Sequence, residues 1–394
     1  MNKTIAVVGG PVVQPVDAVL QLVPTGQGKL AAEIALAFEV LYPHVERLGN
    51  FSGGKACTFH ELEQWIERVS ADVVIFLPHL PNVLIDSIPG KLRLEEGETG
   101  TLVVRAAPKL VGRIKTLHPE TLLVPFKLAD PEMSRVEIVR WMLELHAALA
   151  VYSRLGDSGH YFILDALGNE VAVTRAELPA ALVETVVHFL EAKRRRSERR
   201  DEVIPAVPYL DALVAFSRQM QPAFSQIIER NVASGRWPGN FSFRCTHGFL
   251  SSRGAAGFVI TRRNVAKEGL TPQDFVWVDL VLDNGVLIYS GEESSKPSID
   301  APVHRLIYDQ LPWVQNIVHG HLQISGDPCV HPGLLPRWPC GAENEGEDII
   351  AAAPHEGVDL WVANVAGHGF VALIGAADPR PALEKLSRLE YSAQ

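Results

Sequence analysis

The stretch Asn316–Leu322, NIVHGHL, carries the residue types with the plainest chemistry in this chain. Apolar Ile317 and Val318 run straight into His319 and His321. Such a run predicts a strand, and residues two apart on a strand face the same way, so the two imidazoles stand side by side. Just upstream, PSIDAPVH (Pro297–His304) sets Asp300 one turn before His304, in a segment that reads as the start of a helix. A further histidine, His368, follows another apolar run, LWVANVAGHG. Two histidines on one strand plus a distant third describe a three-ligand metal site with a position left open for water or substrate. Three neutral imidazoles bind zinc well and leave it a full Lewis acid, able to polarise a carbonyl. The Asp300 carboxylate could act beside it as acid or base, or bind the metal until substrate displaces it. The competing reading, an ordinary core or surface histidine, suits a lone His better than a His-x-His pair with a matching third.

A chain of 394 residues is too long for one ordinary core and predicts two domains, with three as the outer bound. Its apolar share of 47% and charged share of 21% are those of globular proteins and give no hint of disorder. A net charge of -10 argues against a general nucleic-acid surface. Cys57, Cys245, Cys329 and Cys340 are scattered without C-x-x-C spacing, which argues against a zinc ribbon or a disulfide framework and for free thiols in a reducing compartment. No apolar run approaches a membrane span. MNKTIAVVGG reads as a first strand and turn, not a cleaved signal, so the expectation is a cytoplasmic protein that does not engage membranes.

The elements that must position these residues alternate. Thr4–Val8, Asp72–Leu77, Leu122–Phe126 and Leu149–Tyr152 read as short buried strands, with helices over Lys29–Tyr42 and Pro131–Leu145. That alternation predicts a parallel, layered, Rossmann-like α/β sheet. Tyr161–Leu164 and Glu170–Val173 read as an edge hairpin. Thr174 and Glu177 have capping-box spacing and open an amphipathic helix that runs into KRRRSERRD, Lys193–Asp201. A short charge run at a helix end reads as a solvated linker, which sets a boundary near residue 200: domains 1–200 and 201–394. The second half opens with a long helical segment, Tyr209–Ala233. It continues as short strands joined by turns, a helix over Ala301–Asp309, the histidine strand, a Pro/Gly/Cys-rich loop over Asp327–Ala342, two more strands and a last helix. This is an α+β pattern with a mostly antiparallel sheet.

From about Leu210 to the C-terminus the chain resembles the class II aldolase/adducin family. The matching pieces come in family order: Gly239-Asn240 with Ser242 and Arg244, Val259-Ile260-Thr261, Leu270-Thr271-Pro272 with Asp274, Lys296-Pro297-Ser298, His304, His319-Gly320-His321, and His368-Gly369. The resemblance implies an α/β/α fold, a homo-oligomer (dimer or tetramer), and a divalent metal held by His319, His321 and His368. Zinc is the expected ion. It also implies Asp300 as the acid/base, with Asn240, Ser298, Thr261 and Arg262 on the substrate. Aldolases of this type carry Glu in a PSSE segment, whereas the pentulose-phosphate 4-epimerase branch carries Asp in PSSD-x-P-x-H, which PSIDAPVH resembles more. Both branches break or remake a carbon–carbon bond through a metal-stabilised enediolate. The family's phosphate cradle is altered: its Thr-x-x-Gly turn is Thr261-Arg-Arg-Asn264 here, and Ile299 replaces the second serine. Arg262 and Arg263 could compensate by binding an anion bidentately, or could simply be exposed.

The first half resembles phosphopantothenoylcysteine synthetase, which activates a carboxylate with a nucleotide. Gly9–Asp17 resembles that family's opening, Thr25-Gly26-Gln27-Gly28-Lys29 stands where it has a Gly-rich loop before the first helix, and Lys91 and Phe126-Lys127 match later segments. A nucleotide, ATP or CTP, or a phosphate is implied on Gly10, Gly26, Gly28, Lys29, Lys91 and Lys127, because a Gly-rich turn opening a helix converges backbone N–H groups and the helix dipole. The family's Asn before that loop is Pro24 here, and its V-x-N-D-V strand end is Val151-Tyr-Ser-Arg-Leu155, so the original ligase activity is not implied. The expectation is a bifunctional chain: a metal-dependent lyase or epimerase acting on a small hydroxylated carbonyl or carboxylate, fused to a synthetase-like domain. Two alternatives stand beside it, a nucleotide-dependent carboxylate–amine ligase and a non-catalytic adducin-like assembly module.

Overall fold

The computed structural model describes residues 3–15, 21–22, 28–49, 57–79, 83–85, 104–106, 109–157, 159–166, 170–204, 206–231, 237, 239–245, 256–267 and 269–392. The chain divides into two compact units, Met1–Thr185 and Val186–Gln394. Gly26 and Lys91 lie outside the described residues.

The first unit is a layered α/β sheet. Its strands and helices alternate as β1 (Thr4–Pro15), α1 (Lys29–Glu39), β2 (His44–Gly49), α2 (Phe59–Arg68), β3 (Val73–His79), α3 (Leu110–Leu117), β4 (Leu122–Ala129), α4 (Arg135–Glu144) and β5 (Leu149–Arg154). The hairpin β6 (His160–Asp165) and β7 (Glu170–Thr174) follows. The spatial order is β2-β1-β3-β4-β5-β6-β7, parallel from β2 to β5 and antiparallel at the hairpin edge. Strands buried on both faces read as continuous apolar runs, which is why VVIFL in β3 was legible. Ala6, Val8 and Val74 share one core with Leu62, Trp65 and Ile66 of α2 and Leu110 and Ile114 of α3. The order of the strands reverses between β1 and β3, and in such sheets the crevice at the strands' carboxyl ends is where ligands bind.

Thr174 caps the next helix, α5 (Leu178–Glu191), as its spacing predicts: Glu177 accepts from the Thr174 N–H at 2.9 Å and its own N–H donates to the Thr174 hydroxyl at 3.4 Å. The division between units falls within α5, earlier than residue 200. The basic run is not a linker: Ser197–Asp201 forms β8, which pairs in parallel with β12 (Leu287–Ser290) of the second unit. Its positive charge is met by acid, Arg195 pairing with Glu343 at 2.6 Å and Arg200 with Asp283 at 3.3 Å.

The second unit has α6 (Leu210–Asn231), β9 (Asn240–Cys245), β10 (Gly257–Thr261), β11 (Phe275–Asp279), then β12, α7 (Ala301–Gln310), β13 (Asn316–Gly320), β14 (Val330–Leu335), α8 (Glu343–Ala352), β15 (Leu360–Val365), β16 (Gly369–Ile374) and α9 (Arg380–Ser387). Its sheet runs β8-β12-β11-β10-β9-β13-β16-β15-β14. It is mixed: the outermost pairs at both edges are parallel and the interior pairs antiparallel. Alternate residues separate into two cores. Phe258, Ile260, Ile317 and Leu373 pack with Val303 and Ile307 of α7 and Ile349 of α8. Val259, Val318 and Ala372 pack on the other face with Phe216 of α6 and Leu383 of α9. The layers are therefore α/β/α. Among the described residues no helix is long and apolar enough to cross a membrane.

Candidate metal and acid–base centre

His319 is the last residue but one of β13, on the same face as Ile317, toward α7 and α8, while His321, expected on the same strand, follows in the bend just past its end. The register puts Asn240 of β9 opposite it on one side and Val371 of β16 on the other. The turn carrying His368 closes onto the end of β13 through Gly369, whose φ is +112° and where a Cβ would collide with the Gly320 carbonyl. Strand pairing and that glycine bring the three histidines together. Their ring centroids lie 4.5 to 5.1 Å apart, and the donor atoms offered by His319, His321 and His368 fall within 4.8 Å of one another.

The ring tautomers follow from their partners. The Nδ1–H of His319 donates to the Phe370 carbonyl at 2.8 Å, which leaves the lone pair on Nε2. That Nε2 is buried and has no hydrogen-bond partner among the described residues. A buried unpaired polar atom is costly, and a lone pair so fixed is what a metal ligand requires. His368 is held by Glu345, whose Oε2 accepts from Nδ1 at 2.6 Å, while Nε2 lies 3.1 Å from Cys340 Sγ. Burial, and then the neighbouring imidazoles, push His321 well below an ordinary histidine, and burial brings His319 down to about 3. Both are neutral imidazoles, the form that binds metal. Burial also works against charge on His368, but Cys340 and Glu345 outweigh it and raise its proton affinity. The residues present fit a divalent ion.

Asp300 stands at the N-terminus of α7, 5% exposed. Its Oδ2 accepts from Asn240 Nδ2 at 2.7 Å and from Ser298 Oγ at 3.4 Å, and its buried Oδ1 has no hydrogen-bond partner among the described residues. Burial alone would raise its proton affinity, yet His368, His319 and His304 and the Gly341 N–H hold the carboxyl below its ordinary value. Asn240, Ser298 and Asp300 thus form one hydrogen-bonded group beside the histidines. Thr261 and Arg262 are engaged elsewhere. Thr261 Oγ1 accepts from the Phe241 N–H at 3.3 Å, and the Arg262 guanidinium places Nε and a terminal nitrogen on Asp274 Oδ1 at 3.0 and 2.9 Å. An arginine so committed serves the turn before β11.

His304 belongs to the packing. Its Nδ1 shares a 2.7 Å hydrogen bond with Ser242 Oγ, which also bonds Tyr308 at 2.8 Å, and burial pushes the ring down to about 4. Glu345 and Cys340 were not singled out from sequence, since one is an ordinary helix glutamate and the other an isolated cysteine. Only the fold shows that both meet His368. Lys267 was also missed: it is 6% exposed, its Nζ donates to the Val265 carbonyl at 2.7 Å, and burial brings it down to about 7 against the opposing pull of Asp274 and Asp300.

In the first unit, Gly10 lies in β1 opposite Pro78 of β3, and Lys127 lies in β4 two residues past Pro125, which pairs with Phe76. These positions stand level at the carboxyl ends of adjacent parallel strands. Gly28, with φ +65°, precedes α1, and Lys29 is its first residue. Lys127 Nζ lies 4.8 Å from the centre of the Trp141 ring.

Residues 218–394 match the model described as the Class II Aldolase and Adducin N-terminal domain, so the second half of the chain carries a domain of that family. A probable L-ribulose-5-phosphate 4-epimerase, UlaF, of Mycoplasma pneumoniae is 44% identical over 64 residues, which are 16% of this chain and 24% of that protein. The match therefore spans about a quarter of that relative's length. Among solved structures, L-fuculose-1-phosphate aldolase from Thermus thermophilus is 22% identical, with 44% of this chain and 88% of that chain covered and a TM-score of 0.27. The DNA/pantothenate metabolism flavoprotein from Streptococcus pneumoniae is 14% identical, with 47% of this chain and 98% of that chain covered and a TM-score of 0.38.

Proposed function

We propose that the second unit is a metal-dependent lyase or epimerase acting on a small hydroxylated carbonyl or carboxylate compound by aldol or retro-aldol chemistry. The observation that carries this reading is the buried, unpartnered Nε2 of His319, grouped with the donor atoms of His321 and His368. A divalent ion on these three histidines, zinc by the chemistry of the donors, supplies a Lewis acid. The rest falls to the chain's own side chains. Asn240 and Ser298 fix one oxygen of Asp300, and the other is left to take a proton from a substrate hydroxyl or return it. Its depressed proton affinity keeps it ionised, ready to act as the base first. Glu345 holds the His368 ring in place. His319, His368 and Asp300 are each 5% exposed or less, which limits the water that reaches the exchange. An Asp at position 300, together with the local likeness to the epimerase of Mycoplasma pneumoniae, favours the epimerase side of the reading.

The test is metal analysis of the purified chain, followed by an NMR screen of hydroxylated aldehydes, ketones and hydroxy acids. About one divalent ion per chain is expected, with product formation removed by His319→Ala and by Asp300→Asn. Protein that takes up no zinc, manganese or cobalt would overturn the reading.

For the first unit we propose a nucleotide, ATP or CTP, or a phosphate at the carboxyl ends of β1, β3 and β4. The reversal of strand order there and the opening of α1 at Gly28 and Lys29 support it. Thermal stabilisation by CTP or ATP, lost in Lys29→Ala, is the expected result, and no shift with either would sink it. A homo-oligomer is part of the proposal, checked by sedimentation. Retention of three converging histidines weighs against a purely structural, adducin-like role.

A further inference from the structure

Lys267 sits in the connection between β10 and β11 and is 6% exposed. An ammonium carries three N–H donors. Among the described residues one of them is used, on the Val265 carbonyl at 2.7 Å, and no carboxylate pairs with it. Asp274 is spent on other groups: its Oδ2 accepts from the Thr271 N–H and hydroxyl at 2.9 and 2.8 Å, and its Oδ1 takes the Arg262 guanidinium. A buried cation with so little to satisfy it is costly, and such groups concentrate where ligands bind.

The backbone carries this lysine to the centre. Val265 and Leu270, on either side of it, are anchored in the core beneath α6 and α9. The start of the connection is stitched to the segment that leads into Asp300. There the Ser298 N–H donates to the Thr261 carbonyl at 3.1 Å and the Arg263 N–H to the Lys296 carbonyl at 2.8 Å. The ammonium is accordingly within electrostatic reach of the acid and of one histidine. Burial lowers its proton affinity, Asp274 and then Asp300 pull it back up, and its own charge adds to the burial and the imidazoles that lower His321. Arg262 and Arg305, by contrast, are already paired, with Asp274 and Glu343.

Resting on the metal reading above, we propose that Lys267 sets the substrate specificity of the second unit: its ammonium binds the anionic end, carboxylate or phosphate, of a hydroxylated carbonyl compound whose reacting end lies at the histidines and Asp300. The two N–H donors left over meet oxygens of the anion, and the third keeps the Val265 carbonyl. The anion supplies the counter-charge that the fold withholds, so the charged ammonium is favoured once substrate is bound. A neutral compound leaves the cation buried without a partner and is rejected on that ground.

Calorimetric titration of the zinc-loaded full chain with three hydroxyketones tests this: neutral hydroxyacetone, hydroxypyruvate with its carboxylate, and dihydroxyacetone phosphate. Wild type should bind one or both anionic compounds at least about 10-fold more tightly than hydroxyacetone. The tighter of the two identifies carboxylate or phosphate as the group recognised. Lys267→Met should retain zinc by metal analysis, bind hydroxyacetone as wild type does, and lose the preference for the anions. Lys267→Arg, which keeps the charge, should retain part of that preference. Wild type that prefers neither anion overturns the proposal while leaving the three-histidine site standing, however the variants fold. So does Lys267→Met that keeps the preference, or that binds all three compounds more weakly by the same factor, as loss of a merely structural lysine would. Wild type that takes up no zinc overturns the metal reading itself, and this inference with it.

Discussion

His304 and His319 are both buried neutral imidazoles, and their partners separate their roles. His304 is satisfied by Ser242, while His319 keeps an unpaired Nε2. Metal that binds only the folded state stabilises it by about 4 kcal/mol at a thousandfold excess over Kd. Zinc should therefore raise the unfolding midpoint of wild type and of His304→Gln, and leave that of His319→Ala unmoved in the same thermal scan. His304→Gln should instead flatten the acid limb of stability. Burial depresses the folded ring from its ordinary 6.5 to about 4. The unfolded chain then takes up this proton first as the pH falls. The stability linked to His304 is complete above pH 6.5 and is lost on the way down to pH 4, by up to about 3 kcal/mol. Urea titrations of metal-free protein at several pH values read this directly. A variant with a wild-type slope over that range would rule it out.

Helix α8 joins two charged groups to the site. Glu343 in its first turn is buried between Arg195 and Arg305, and Glu345 two residues on holds His368. Removing a carboxylate between two arginines leaves the buried Arg305 without its partner, at a cost of about 3–5 kcal/mol. Glu343→Ala should lose that much in denaturant unfolding and also weaken zinc binding, because the end of α8 that carries Glu345 is no longer pinned. Zinc affinity equal to wild type would separate the helix from the site. This element also marks the limit of what was legible beforehand. The strands and helices announced themselves through alternation and helical spacing, and His319, His321, His368 and Asp300 through residue type and short-range spacing. Glu345 and Cys340 reach His368 from 23 and 28 residues away, through a helix start and a turn that no local pattern encodes. The run Lys193–Asp201 was misread because its charge outweighed its strand character. Its arginines find acids on other segments, and those pairings exist only in the fold.

Among the described residues each unit has its own cores: in the first, one binds α2 and α3 to the sheet and another lies under α4, and in the second two sandwich the sheet. Separate cores of this size are expected to unfold as separate cooperative blocks, and a ligand stabilises only the block that holds it. Calorimetry of the full chain should accordingly resolve two transitions. Zinc should shift one of them and leave the other in place, and His319→Ala should cancel that shift. CTP or ATP should shift the other, and Lys29→Ala should cancel it in turn. Because the two substitutions lie in different units and share no partner among the described residues, the double variant should show the sum of the single effects within about 0.5 kcal/mol. A single transition displaced as a whole by zinc would mean that the units unfold as one. A non-additive double variant would mean that occupancy of the metal centre is coupled to the carboxyl ends of β1 and β3.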